Sequence, residues 1–327
     1  MLDYTIFGES HGPAVGVLVT GAAPGLPVDR EIIARELERR APGGPLATAR
    51  HEPDRLHILS GVYQGFTTGD PICLVLENRD TRSGDYEALR NKPRPGHADY
   101  AAWVRSGGHN DPRGGGPYSG RLTAPLVAAG AMVKAWLKEQ DIQLTARVVD
   151  EPALRQQAAE AKAHGDSVGG EIACTVTGLP AGLGGPGWRE AVESELARHL
   201  FAIPAVKALG FGDGASLAHM RGSRANDPLR TDGTRVRTVT NHNGGINGGV
   251  TNGMPLTFTV TFKPTPSIAL PQRSVDLKKM QPVTLQVSGR HDPCIVPRAV
   301  PCVEAAAAFA IYDAMLSDRK ETEHESH

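Results

Sequence analysis

The strongest constraint on the fold is an internal echo. Thr20-Gly21-Ala22-Ala23-Pro24-Gly25-Leu26, followed by Arg30-Glu31, reappears as Thr177-Gly178-Leu179-Pro180-Ala181-Gly182-Leu183, followed by Arg189-Glu190. Each copy reads as a strand that ends at a Gly/Pro turn and feeds a helix. The offset is 157 at Gly21/Gly178 and 159 at Glu31/Glu190, a two-residue insertion, and Glu36-Leu37 still answers Glu195-Leu196. Two copies are too few for a solenoid, so the echo predicts two similar halves packed around one core. The competing reading is a chance match of two Gly/Pro turns.

Strand-like alternation falls at 15–19, 72–76, 172–176 and most cleanly at 256–262, where Leu256, Phe258, Val260 and Phe262 alternate with threonines. Helical spacing falls at 29–40, 120–139, 152–164, 189–201 and 298–317. The chain is therefore α+β. No Pro/Gly/Ser linker divides its 327 residues, which predicts a single domain over 1–317. Residues 318–327 offer no apolar side chain to bury and are expected to be a disordered polar tail.

A formal charge of −1 argues against a nucleic-acid binder. No stretch approaches the ~18 uninterrupted apolar residues of a membrane helix. The first residues carry no secretory pattern, so the cytoplasm is the expected compartment. Cys73, Cys174, Cys294 and Cys302 form no close pair and read as reduced.

Chemistry-bearing residues gather in five Gly-rich clusters. Gly8-Glu9-Ser10-His11-Gly12 leaves an imidazole uncrowded between glycines; a structural hydrogen bond is the plainer reading. Arg94-Pro95-Gly96-His97-Ala98-Asp99 sets a cation, a histidine and a carboxylate on a stiff loop, or is a surface turn with an ion pair. Arg113-Gly114-Gly115-Gly116 enters a helix and could offer N–H groups to a phosphate, yet matches no Walker or dinucleotide pattern. Asn241 to Gly253 is a polar loop able to wrap a ligand. Gly289-Arg290-His291-Asp292-Pro293-Cys294 precedes the last helix, where Asp292 could equally be an N-cap. No His-x-x-x-His, His-Glu-x-x-His or paired-cysteine spacing suggests a metal.

Together and in this order, these clusters, with Leu-Pro-Ala-Gly-Leu-Gly at 179–184, Lys-Pro-Thr-x-Ser at 263–267 and Arg-Ala-Val-Pro at 298–301, resemble the chorismate synthase family across 1–317. The resemblance implies a β-α-β sandwich of antiparallel sheets, with the helices expected outside, a homotetramer, and reduced FMN as cofactor. NADPH is a possible source of its electrons. The implied reaction is the 1,4-elimination of phosphate from 5-enolpyruvylshikimate 3-phosphate. Within it, His11 would protonate the departing phosphate and His97 the reduced flavin, while Asp292 would assist removal of the substrate's proton. Arg40, Arg94 and Arg121 would grip the substrate's anionic ends. Ser119, Pro204, Ala205, Gly248, Lys263, Pro264, Thr265, Pro266, Ser267 and Arg290 would hold the flavin.

The chain departs from the family at Pro117-Tyr118-Ser119-Gly120-Arg121-Leu122-Thr123-Ala124, where Arg-Ser-Ser-Ala-Arg-Glu-Thr-Ala is usual, and lacks a second arginine after Arg40 within 41–46. Two other readings stay open: a flavin-binding paralogue without this activity, and a metal-assisted phosphohydrolase using His11, His97 and Asp292.

Overall fold

The computed structural model describes residues 1–41, 54–79, 90–287 and 292–324, the last six as backbone only. The first half runs β1 (Asp3–Gly8), β2 (Ala14–Thr20), α1 (Arg30–Arg40), β3 (Leu56–Ser60), β4 (Ile72–Glu77) and α2 (Thr123–Lys138). The second runs β5 (Gln143–Val148), β6 (Gly170–Thr177), α3 (Val192–Leu200), β7 (Val206–Phe211), β8 (Leu256–Phe262) and α4 (Val296–His324). The strands form two antiparallel sheets of identical topology, β1-β2-β4-β3 and β5-β6-β8-β7.

The echo is therefore structural, and the two glycines that announced it do the same job. Gly21 and Gly178 have φ of 81° and 89°. A Cβ on Gly21 would lie 2.0 Å from the Met1 carbonyl oxygen, and one on Gly178 would lie 2.2 Å from that of Asp141. Each carbonyl comes just before the strand that pairs with the glycine's own, so only glycine allows the chains to cross there.

The helices lie inside, which corrects the expectation of outer helices. α2 packs on β2 and β4, α4 packs on β5 and β6, and the two helices pack on each other, with α1 and α3 beside them. Thirteen of the sixteen residues of α2 are buried. A helix apolar on every side has no face for water, so it can only be an inner layer. At the crossing, a Cβ on Gly130 would come within 2.3 Å of the Ala305 Cβ, so the backbones touch through small residues. Residues 296–318 of α4 have the length of a membrane span and contain an 18-residue window of mean hydropathy 1.5, but 83% of that window is buried within the fold.

Two carboxylates of α4, Glu304 and Asp313, are buried in this apolar layer. Glu304 of α4, 3% exposed, accepts from both Arg39 nitrogens Nη1 and Nη2 at 2.6 and 3.0 Å and from the Ala146 backbone at 3.1 Å, and it also pairs with Lys134. It ties α1, α2, β5 and α4 together. Helix α4 runs on through His324, where the sequence suggested disorder. Arg, Lys and Glu are good helix formers, and extending an existing helix avoids the cost of nucleation.

Candidate active site

The duplicated elements bring their functional residues to one end of the sandwich. β1 ends in the turn carrying His11, α1 ends at Arg40, and β4 ends beside Asn78. α2 begins after Arg121, α4 begins beside Asp292 and Arg298, and β8 ends at Lys263. Both long helices thus direct their positive ends toward the same place.

The triple glycine joins the two histidines. Gly114, Gly115 and Gly116 have φ of 59°, 86° and 52°. A Cβ on Gly114 would lie 2.4 Å from His11 Cδ2, and one on Gly115 would lie 2.7 Å from His97 Cε1. The backbone therefore passes directly between the imidazoles, while Ser10 N–H donates to the Gly116 carbonyl at 3.3 Å.

Asp99 organises the His97 side. It receives Arg94 Nε and Nη2 at 2.7 and 2.8 Å and approaches His97 Nδ1 at 2.5 Å. Burial alone would raise the Asp99 pKa, but the hydrogen bonds from Arg94 and His97 hold it well below the usual carboxylate range. Arg94, 6% exposed, also donates from Nη1 to Ser267 Oγ at 3.2 Å, and Lys263 Nζ donates to the Gly96 carbonyl at 2.5 Å. The ion pair of the plainer reading is real, but it is built into a site and not left on the surface.

The other side is a cluster of cations. Arg40, 5% exposed, donates to Thr123 Oγ1 at 3.3 Å and to Asp54 Oδ2 at 3.4 Å. Arg121 pairs with Asp54 and donates to Asn78 Oδ1 at 2.9 Å and the Glu77 carbonyl at 3.1 Å. Arg298 pairs with Asp292 and donates to the Arg40 carbonyl at 3.2 Å. Burial, with Arg298 and Arg121 nearby and Asp54 opposing, lowers the Arg40 pKa. Among the described residues three guanidiniums thus meet two carboxylates, and Arg40 Nε has no hydrogen-bond partner. An anionic ligand would balance that excess.

The 263–267 run bridges the two sides, since Thr265 Oγ1 donates to the Asp292 carbonyl at 2.9 Å. Lys263 N–H donates to the Ala205 carbonyl at 3.0 Å, which brings Pro204-Ala205 alongside; Ala205 has a φ of 73°, a strained value for a residue with a Cβ. Ser119 caps the turn at 120–122, accepting from Arg121 N–H at 3.3 Å. Leu122, where the family has a glutamate, is 7% exposed and joins the core. Gly248 sits at the turn of the 246–252 hairpin, with nothing within 4 Å of an added Cβ. Arg290, and the 42–46 segment lacking the second arginine, fall outside the described residues.

Arg298 entered the sequence reading only within the 298–301 run, with no role given to it, and Asp54 and Asn78 did not enter it. Arg298 carried a signal as the one cation in the first turn of an apolar helix, whereas Asp54 and Asn78 gave none. Among the described residues, no three His, Cys, Asp or Glu side chains converge as metal ligands.

Fold and site together describe a duplicated β-α-β sandwich that gathers two histidines and a cluster of guanidinium groups at one end. A family model for chorismate synthase matches residues 2–151 and 150–316. The chorismate synthase of Thermococcus kodakarensis is 48% identical, covering 98% of this chain and 97% of its own. That of Dehalococcoides mccartyi strain BAV1 is 42% identical, covering 97% and 95%. A crystal structure of chorismate synthase superposes with a TM-score of 0.75 at 26% identity, covering 97% of this chain and 92% of that one. The chain belongs to the chorismate synthase family, and its activity is that of a carbon–oxygen lyase.

Proposed function

We propose that this site holds 5-enolpyruvylshikimate 3-phosphate against reduced FMN and eliminates phosphate to give chorismate. The observation that carries the reading is the convergence of two histidines and four arginines at the N-terminal ends of α2 and α4. Arg40, Arg94 and Arg121 bind the substrate's carboxylates and phosphate, and their anchoring on Asp54, Asp99 and Asn78 fixes the pose before substrate arrives. His11 gives a proton to the departing phosphate oxygen. His97, oriented through Nδ1 by Asp99, would serve as the proton donor toward the reduced flavin. Asp292, held by Arg298, assists removal of the substrate's ring proton.

The residues present fit a flavin. Lys263 supplies a cation, Pro264 and Pro266 stiffen the run, and Ser267, Thr265 and the Ala205 backbone offer polar contacts. Ser119, Pro204, Gly248 and Arg290 complete the proposed set. When bound, reduced FMN supplies the electron-rich ring that promotes loss of the allylic phosphate, with no net redox change. We further read residues 1–317 as one domain with a core drawn from both halves, working in the cytoplasm as a homotetramer.

The test is an anaerobic assay with dithionite-reduced FMN and 5-enolpyruvylshikimate 3-phosphate, following chorismate absorbance and released phosphate together. Matched release of both is expected. Phosphate without chorismate would mean hydrolysis, and neither product with flavin bound would mean a paralogue whose altered 117–122 loop has changed its task.

A further inference from the structure

Asn78 stands one residue beyond β4 and, besides anchoring Arg121, reaches the turn that carries His11. Its Nδ2 donates to two backbone carbonyls, Glu9 and Gly12, both at 2.9 Å. Its Oδ1 accepts from Arg121 Nε at 2.9 Å, and its backbone N–H donates to the Pro13 carbonyl at 3.0 Å. The turn it grips is closed by Gly12 N–H on the Glu9 carbonyl at 3.0 Å, and His11 lies within that turn. An amide meets two carbonyls and one guanidinium in a single orientation, so these partners fix its flip.

We infer that Asn78 is a positioning residue that locks the His11 turn and the Arg121 guanidinium to each other. The two groups meant to act on one phosphate ester, its proton donor and its cationic grip, are thereby set at a fixed separation by one side chain. No other residue type provides this: aspartate cannot donate, glutamine is one methylene too long, and alanine provides neither contact. Lys263, the residue that follows β8, makes the corresponding contact in the second half, donating to the Gly96 carbonyl next to His97. The residue after the same strand of each sheet thus steadies the loop of one histidine.

The inference rests on the reading of His11 as proton donor and Arg121 as substrate ligand, and the test separates the two. Asn78→Asp keeps an acceptor for Arg121 but sets an anion against two carbonyl oxygens. With FMN-loaded enzyme its kcat should fall about 100-fold, the scale of a 1 Å misplacement, while KM stays within about twofold. Asn78→Ala should lose kcat and raise KM as well. Amide hydrogen exchange in residues 8–14 should quicken in both variants. The inference is overturned if kcat and KM per folded enzyme match the wild type, or if exchange in that turn is unchanged. His11→Ala, made with Asn78 intact, reports on the underlying reading: wild-type turnover there would remove the donor, and with it the reason to hold the turn.

Discussion

At the scale of single residues, the site depends on atoms that are missing as much as on those present. Gly115 has a left-handed φ of 86°, and a methyl group there would sit 2.7 Å from His97 Cε1 and 3.5 Å from an Arg94 nitrogen. Gly115→Ala should therefore displace His97 and lower kcat about 100-fold while leaving thermal stability much less affected, as steady-state kinetics and a melting curve would show. Gly/Pro neighbours marked the loops of His11, Arg94, His97 and Asp292 in the sequence, while Arg40 and Arg121 were nominated only by the family resemblance. The sequence could not reveal that Gly115 separates the imidazoles, because that contact joins chain segments near 97 and 115 through a loop geometry no periodicity encodes. Asp54 and Asn78 were hidden for a related reason: each is an ordinary polar residue at a strand boundary until the partners from other segments arrive.

At the scale of elements, the four strands read from alternation, β2, β4, β6 and β8, are the central strands of the two sheets. The four that were not read, β1, β3, β5 and β7, are the edges. Central strands are covered on one face by helices and paired on both sides, which enforces the apolar alternation. Edge strands such as Gln143–Val148 and Val206–Phe211 carry Arg147 and Lys207 among the apolar residues, and such charges discourage pairing with another chain. The placement of the helices was misjudged because their burial on all sides is a property of the assembled layers. Glu304 and Asp313 are where α4 carries buried charge. Burial would raise the Glu304 pKa, but the hydrogen bond from Arg39 and the charge of Lys134 bring it below the ordinary value. Glu304→Gln would set an amide donor among donors from Arg39, Lys134 and Ala146, and should cost about 3 kcal/mol in chemical denaturation.

At the scale of the whole molecule, the two halves meet at a buried histidine. His199 of α3, 2% exposed, lies with Nδ1 3.2 Å from the Tyr4 hydroxyl of β1, and its ring stacks against Phe309 of α4 at 6.3 Å. Burial, reinforced by the positive charge of Arg198, brings its pKa down to about 4, and burial pushes that of Tyr4 up to about 12. An unfolded histidine titrates near ~6.5. Between those values the unfolded chain binds a proton that the folded chain refuses, so stability falls as pH drops from about 6.5 toward 4, by about 3 kcal/mol in all. Urea midpoints measured across that range should show the decline, and His199→Gln, neutral throughout, should flatten it.

The inner position of α4 also sets the order of events during synthesis. All other strands and helices of both halves leave the ribosome before Val296 does, so the first sheet can already rest on α2 while β5 and β6 of the second still lack the helix that covers them. Only when the last long helix packs on β5, β6 and α2 is the inner layer complete. That final step also delivers Arg298 to Asp292 and to the Arg40 carbonyl. A nascent chain thus completes this cluster of residues only as it completes its fold, and a polypeptide cut short before α4 leaves the cell with an open sandwich to hold or destroy.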